Sequence, residues 1–201
     1  MNKYNIVMEM NNSTVVTEYE PLKNRSDAYQ SEASLENEFI KMLTEQGYEY
    51  LTIHDSTALV NNLRTQLELL NDYKFTENEW TRFFNTNIAN NNDGIVEKTK
   101  KIQTDHIQVL KRDNGTSKNI SLIDKKNIHN NRLQVINQYI ENGGNYENRY
   151  DVTILVNGLP LIHVELKRRG VALKEAFNQI NRYQRDSFWQ EQDYMNIYKY
   201  L

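Results

Sequence analysis

The chain has 201 residues, a formal net charge of −3 and 38% hydrophobic residues, and it contains no cysteine. This length can bury one hydrophobic core, and the lack of cysteine excludes a disulfide framework and Cys-ligated zinc or iron–sulfur sites. The charge argues against a protein whose whole surface is basic for nucleic-acid binding, although a local basic patch with a divalent metal would serve a DNA enzyme. No apolar run approaches the roughly 20 residues of a membrane span, so we expect a cytoplasmic protein with no membrane partner.

The periodicity divides the chain into an extended leader, residues 1–28, and one domain, residues 29–201, with a helical insertion at about residues 56–102. The first helix of the domain is predicted to begin after the N-cap residue Ser31 and to end just before Gly47. The chain stops within a patterned segment, so we expect it to be a fragment of a longer protein.

Two inserted helices are marked by their start signals. Ser56 is predicted to cap the first, whose leucines recur at helical spacing. The second is predicted to begin with a capping box, Thr76 and Glu79, and with Phe75 and Trp80 as a hydrophobic staple. These signals predict a helical segment ahead of the main strands.

Beyond the insertion, short β-rich runs alternate with turns. One further β-rich run, residues 48–53, precedes the insertion. The predicted strands after it are residues 104–110, 119–123, 133–140, 150–156 and 161–167. Glycines at residues 115 and 143–144 mark turns between them, and an amphipathic helix follows Gly170. The order predicts an α/β fold in which a mixed or antiparallel sheet is flanked by helices.

Three ionisable residues lie at the ends of two apolar strands. Asp151 begins the first of these strands, and Glu165 and Lys167 end the second. Because burying an unpaired charge is costly, their placement indicates a site for a metal and a phosphate. The alternative is an ordinary ion pair at the strand ends.

A metal site requires a particular strand register. Glu165 and Lys167 are two residues apart on a predicted strand, so both point to one face. A regular two-residue turn at the Asn-Gly sequence between the strands would pair Asp151 with Val164 and turn it to the opposite face. We therefore predict a three-residue loop or one β-bulge, which would set Asp151 across from Glu165.

Given that geometry, the residue types indicate the chemistry. Asp151 and Glu165 would supply oxygen ligands to Mg²⁺, with the backbone carbonyl of Leu166 as a further ligand. The metal would lower the pKa of a bound water and neutralise charge on phosphoryl oxygens. Lys167 would hold the attacking water and stabilise the developing negative charge. The expected reaction is hydrolysis of a phosphodiester.

Two helices carry candidate supporting residues. Gln179 and Tyr183 lie one turn apart at the edge of the apolar stripe of the final helix. Glu36 occupies a similar edge position on the first helix, where it is either a solvated acid or a supporting group that contacts the metal. The edge position of Gln179 and Tyr183 supports the interpretation of the two strand ends as a functional site.

The combination of Asp151, Glu165-Leu-Lys167 and Gln179-x-x-x-Tyr183 resembles the RecB-like branch of the PD-(D/E)xK nucleases. Over about residues 28 to 185, the sequence is similar to the amino-terminal nuclease domain of the restriction subunit of type I restriction–modification enzymes. The resemblance implies a restriction-endonuclease-like fold. It assigns Asp151, Glu165 and Lys167 to the catalytic motif, and Gln179 and Tyr183 to a motif that assists activity and contacts DNA.

The same resemblance implies the partners of the domain. In that family it precedes two helicase-like motor domains in one polypeptide, which joins modification and specificity subunits, translocates double-stranded DNA with ATP and cuts far from the recognition site. This chain lacks the G-x-x-x-x-G-K-[S/T] phosphate loop, so ATP would serve only the motor domains. Tyr150 stands where the superfamily name has proline, a position that supplies no metal ligand.

Two other functions are compatible with parts of the sequence. A docking or DNA-clamping module of the same assembly would use this fold without catalysis. A different hydrolase would use His54-Asp55-Ser56, but the four histidines show no metal-ligand spacing and a G-x-S-x-G elbow is missing. His163 alternates with Glu165 along its strand, where it either approaches DNA or packs as an ordinary histidine.

Overall fold

A computed structural model of the chain describes residues 4–9, 15–19, 31–141, 148–168 and 171–186. The helices are α1 (Glu32–Glu45), α2 (Ser56–Leu70), α3 (Glu77–Phe83), α4 (Ile95–Gln103) and α5 (Leu173–Asp186), with a π-helical turn at Phe84–Ile88 and a 3₁₀ turn at Ile128–Asn130. The strands are β1 (Tyr4–Glu9), β2 (Val15–Tyr19), β3 (Glu49–Tyr50), β4 (Ile107–Lys111), β5 (Ser117–Ser121), β6 (Leu133–Glu141), β7 (Asn148–Val156) and β8 (Leu159–Val164).

The central sheet has four strands in the order β3-β6-β7-β8. The short β3 runs parallel to β6, and the other neighbours are antiparallel. The hairpin β4–β5 forms a separate sheet, and β1 pairs with β2 within the predicted leader. The predicted mixed α/β fold with flanking helices is confirmed, and the predicted turn at residues 142–144 lies outside the described residues.

Two apolar clusters cover the sheet. In the smaller cluster, Leu43 of α1 packs with Val135, Val152 and Ile154 of the central strands. The larger cluster contains residues of α2, α3 and the β4–β5 hairpin together with Leu155 of β7. Helix α1 on one face and the insertion on the other therefore cover β6 and β7, the two inner strands of the described sheet.

The predicted helix starts are confirmed with one correction. The Ser31 side chain accepts from the backbone of Ser34 at 3.1 Å, and the capping box of Thr76 and Glu79 is fully formed. Helix α2 is capped by Asp55, whose carboxylate accepts from the Ala58 N–H at 2.9 Å, and not by Ser56. Asp and Ser are both good N-cap residues. Asp55 is the cap because its backbone is extended, whereas Ser56 is already the first residue of the helix.

The predicted staple also forms. The rings of Phe75 and Trp80 lie 5.4 Å apart, and both are buried in the larger cluster. The predicted strand at residues 48–53 is shorter in the structure, because the ladder with β6 covers only Glu49 and Tyr50. In the parts of the chain that the structure describes, no helix has the length and apolar character needed to cross a membrane.

Candidate functional site

The β7–β8 turn is fixed by buried hydrogen bonds. Asn157 and Gly158 have φ angles of 51° and 80°, as a two-residue hairpin turn of the primed type requires. The buried Asn157 side chain accepts from the Arg132 N–H at 2.8 Å and donates to the Leu122 carbonyl at 3.0 Å. The turn is thereby tied to the neighbouring chain segments.

A β-bulge follows this turn and changes the register. Val156 pairs with Leu159, but further along Ile154 pairs with Ile162, so that β8 contains one additional residue. At the far end Val152 pairs with Val164. The predicted bulge is confirmed, although it accompanies a two-residue turn. One step beyond the ladder, this register sets residue 151 against residue 165.

A direct hydrogen bond joins the two sides of the site. The Leu166 N–H donates to Asp151 Oδ2 at 2.9 Å. The predicted strand over residues 161–167 is too long at its end: β8 stops at Val164, so Glu165 and Lys167 follow the strand and are not part of it. The Asp151 carboxylate thus accepts from a backbone N–H just beyond the end of the β7–β8 ladder. This hydrogen bond continues the strand register to residues 151 and 165. The ligand role predicted for the Leu166 carbonyl stays a prediction.

Glu165 and Lys167 form a shielded ion pair. Lys167 Nζ lies 2.6 Å from Glu165 Oε1, and the two side chains are 16% and 4% exposed, respectively. Burial and the nearby Asp151 charge together raise the pKa of Glu165 to about 7, against the opposing effect of Lys167. Asp151 therefore lies close enough to Glu165 to disfavour ionisation of the Glu165 carboxyl.

The ammonium group is stabilised in its charged form. Burial lowers the pKa of Lys167, but the hydrogen bond that it donates to Glu165 and the charges of Glu165, Glu32 and Asp151 outweigh burial, and the net pKa is raised. Glu32 stands in the first turn of α1 and also accepts from the Arg168 N–H at 3.4 Å. The sequence did not single out Glu32, since an acid at a helix start is ordinarily explained by the helix dipole.

The donor set is compatible with Mg²⁺. Among the described residues no group of three or more His, Cys, Asp or Glu side chains could enclose a metal. Mg²⁺ normally keeps several waters and binds proteins through one or two carboxylates together with substrate phosphate. Burial and the Asp151 charge both disfavour the ionised form of Glu165, and a bound cation would favour that form. These two carboxylates therefore fit the ion.

The predicted supporting residues have different outcomes. Gln179 and Tyr183 both lie in α5, where Gln179 is half-buried, and their assistance to the site stays a prediction. Glu36 is only 7% exposed and accepts from Asn137 Nδ2 at 2.5 Å and from Gln138 Nε2. The interpretation of Glu36 as a solvated acid is therefore wrong, and its role at the site is untested.

The histidine alternatives have structural explanations. Asp55 caps α2 and Ser56 is its first residue, so the His54-Asp55-Ser56 run lies at a helix start. His163 packs its ring on Tyr150 at 4.7 Å between centroids, and its Nδ1 lies 2.9 Å from Thr153 Oγ1. His163 is thus a packed, hydrogen-bonded histidine.

Comparisons with known proteins identify a family and several relatives of the chain. Residues 29–201 match the family model described as "Type I restriction enzyme R protein N terminus". The chain is 48% identical over 196 residues to the type I restriction enzyme EcoprrI endonuclease subunit of Escherichia coli, an alignment covering 97% of this chain and 61% of that protein. It is 39% identical over 175 residues to the type I restriction enzyme SauMSSORF170P endonuclease subunit of Staphylococcus aureus strain MSSA476, covering 87% of this chain and 18% of that protein.

The alignments leave part of each relative unmatched. The chain spans less than two thirds of the length of either relative. The family model, in contrast, covers most of the chain and begins at residue 29. The chain belongs to the family of type I restriction enzyme R proteins, whose N-terminal region it matches.

Proposed function

We propose that this chain is the nuclease domain of a type I restriction enzyme and that it hydrolyses phosphodiester bonds of double-stranded DNA with Mg²⁺. The observation that carries the proposal is the bulged β7–β8 hairpin, which sets Asp151 against Glu165 and leaves Lys167 paired to Glu165. Membership of the R protein family supports the same reaction.

Each residue has a distinct role in this proposal. Asp151 and Glu165 would hold Mg²⁺, with the Leu166 carbonyl as a further ligand. The bound ion would supply an acidified water and neutralise phosphoryl charge. Lys167 donates to Glu165 in the structure. With DNA bound, the same ammonium would orient the attacking water and stabilise negative charge on the phosphate. Gln179 and Tyr183 would contact the DNA backbone from α5.

Other parts of the enzyme would supply DNA translocation and recognition of the DNA sequence. We infer that the domain acts beside ATP-driven, helicase-like motor domains of the same polypeptide and with modification and specificity subunits, in the cytoplasm where the DNA is. A reaction at the phosphate reads the backbone and not the bases, so the domain itself would have no sequence preference. We also expect the isolated domain to cut weakly, because its local basic clusters are small.

The test is linearisation of a supercoiled plasmid that carries recognition sites, using the complete enzyme with Mg²⁺ and ATP. Glu165→Ala is compared with wild type and with Glu45→Ala, a change at an exposed residue of α1 whose ion pair with Lys41 is open to solvent. Loss of cutting by Glu165→Ala alone, with ATP hydrolysis intact, supports the proposal. Retained cutting would instead favour a non-catalytic docking or DNA-clamping module.

A further inference from the structure

The strand opposite Asp151 has an unusual backbone at Gln138. Its φ angle is 52°, in the left-handed region that a residue with a side chain seldom adopts. Such a conformation persists where the surroundings impose it, and it concentrates at functional sites. In the described part of the β6–β7 ladder, the pairs Asn137–Val152 and Tyr139–Tyr150 flank this position. The interrupted step between them joins residues 138 and 151, so Gln138 lies opposite Asp151.

Both strands change faces at this step. In a regular strand, residues at even spacing lie on the same face. Val135 and Tyr139 of β6 should therefore lie on one face of the sheet, and Tyr150 and Val152 of β7 should likewise lie together on one face. The two valines instead belong to the smaller cluster under α1, and the two tyrosines belong to the larger cluster on the other side. The pair of strands is therefore locally rotated at Gln138 and Asp151.

A buried carboxylate holds the rotated backbone. Neighbouring residues of a strand point to opposite faces, yet Asn137 and Gln138 both donate to the carboxylate of Glu36. Asn137 is fixed further by the Tyr50 hydroxyl, which donates to its Oδ1 at 2.9 Å. We call Glu36, Asn137 and Gln138 the amide clamp. Because Glu36 is almost fully buried, the clamp ties the irregular step of β6 to helix α1.

We propose that Gln138 is a positioning residue for Asp151, acting through the amide clamp on Glu36. The clamp holds Gln138 of β6 in its left-handed conformation, and this conformation rotates β7 at Asp151. The rotated Asp151 then accepts a hydrogen bond from the Leu166 N–H beside Glu165. Glu36 would then serve the site through β6 and would not contact metal or DNA. This inference rests on the proposed function, because it assigns Gln138 a part in holding the metal ligands.

The experiment measures the Mg²⁺ concentration for half-maximal plasmid cutting by the complete enzyme. Gln138→Ala removes the amide that donates to Glu36, and we expect the half-saturating Mg²⁺ concentration to rise roughly tenfold or more, as for other residues that orient metal ligands. The matched control is Val135→Ala, which truncates a buried residue of the same strand in the smaller cluster. The control should lower thermal stability and leave the Mg²⁺ dependence unchanged.

A second variant keeps the test decisive if Gln138→Ala does not fold. Gln138→Gly removes the same amide while glycine adopts a positive φ without strain, so this variant decides the matter if Gln138→Ala is unfolded. An unchanged Mg²⁺ dependence in the folded variant, or an equal shift in Val135→Ala, would overturn the positioning role. The proposed function fails separately, because only its failure would leave Glu165→Ala able to cut.

Discussion

The Leu166 amide donates to Asp151 across the β7–β8 hairpin at 2.9 Å, directly between the two charged residues that follow β8. This bond exists because one extra residue in β8 shifts the register of the hairpin. Without the bulge, residue 151 would face the opposite side of the sheet from Glu165. The arrangement of the proposed metal ligands is thus a consequence of strand register.

Lys167 should be needed for cutting but not for metal binding. Lys167→Met keeps much of the side-chain volume and removes the ammonium group that pairs with Glu165. We expect plasmid cutting by the complete enzyme to fall roughly 100–1,000-fold, the usual effect of removing one group that stabilises developing charge. Mg²⁺ binding, measured by calorimetry, should persist or strengthen because a nearby positive charge is lost. Loss of binding together with cutting would assign Lys167 a role in assembling the site.

Mg²⁺ binding should strengthen with rising pH. Burial and Asp151 raise the pKa of Glu165 to about 7, and a protonated carboxyl must release its proton to ligate a metal. Affinity is therefore expected to rise roughly tenfold between about pH 6 and about pH 8. Without metal the sign is reversed: the folded-state pKa is raised, so stability falls as pH increases through the interval from 4.5 to about 7.

The measurement is calorimetry of Mg²⁺ binding in two buffers of different ionisation enthalpy, which reports the number of protons released. Glu165→Gln is the control, because it has no carboxyl to titrate and should bind Mg²⁺ weakly with little pH dependence. A wild-type affinity that stays flat across this interval would show that Glu165 is not a ligand.

Gly158 should be intolerant of a side chain for two separate reasons. Its φ is +80°, and a Cβ added there would lie 2.6 Å from the Leu63 Cα of α2. We expect Gly158→Ala to lower the free energy of unfolding by about 2–4 kcal/mol through backbone strain and overpacking. Gly115 has a similar φ of +81° with nothing within 4 Å, so Gly115→Ala should cost only about 1 kcal/mol. Equal losses in urea unfolding would argue against the close approach of α2 to the hairpin turn.

The local signals of the sequence predicted much of this framework. Capping residues, such as Ser31, and the staple of Phe75 with Trp80 act over a few positions, so their partners can be read directly from spacing. The bulge in β8 was predictable from a chemical requirement, since Asp151 could not otherwise reach the face of Glu165. These features depend on short-range geometry, or on the rule that successive residues of a strand alternate between the two faces of the sheet.

The clamp around Glu36 was not predictable in the same way. Asn137 and Gln138 read as ordinary polar residues of a strand, and their contacts with Glu36 span 101 and 102 positions of sequence. A left-handed residue also gives no signal in sequence when it is not glycine or asparagine. Such features arise from tertiary packing, which a periodicity argument does not contain.

Glu68 should stabilise the fold at neutral pH and lose that effect in acid. Burial alone would raise its pKa, but hydrogen bonds from Lys74 and Arg64 and from the Phe75 N–H outweigh burial, and the net pKa is lowered. A lowered folded-state pKa contributes stability that is present above the unfolded value of 4.5 and is lost as pH falls through the folded value.

Glu68→Gln is therefore expected to destabilise the chain by about 2 kcal/mol near neutral pH, because the partly buried Arg64 loses this carboxylate, whereas Lys74 is 81% exposed and stays solvated. The difference from wild type should shrink as pH falls below 4.5 and through the lowered pKa of Glu68 in the fold, where the wild-type carboxyl also becomes protonated. Urea unfolding at both pH values provides the measurement. Glu45→Gln is the control, because its 3.8 Å contact with Lys41 is solvent-exposed and should contribute under about 1 kcal/mol at either pH. A Glu68→Gln penalty that did not change with pH would mean that packing, and not the carboxylate charge, accounts for the stabilisation.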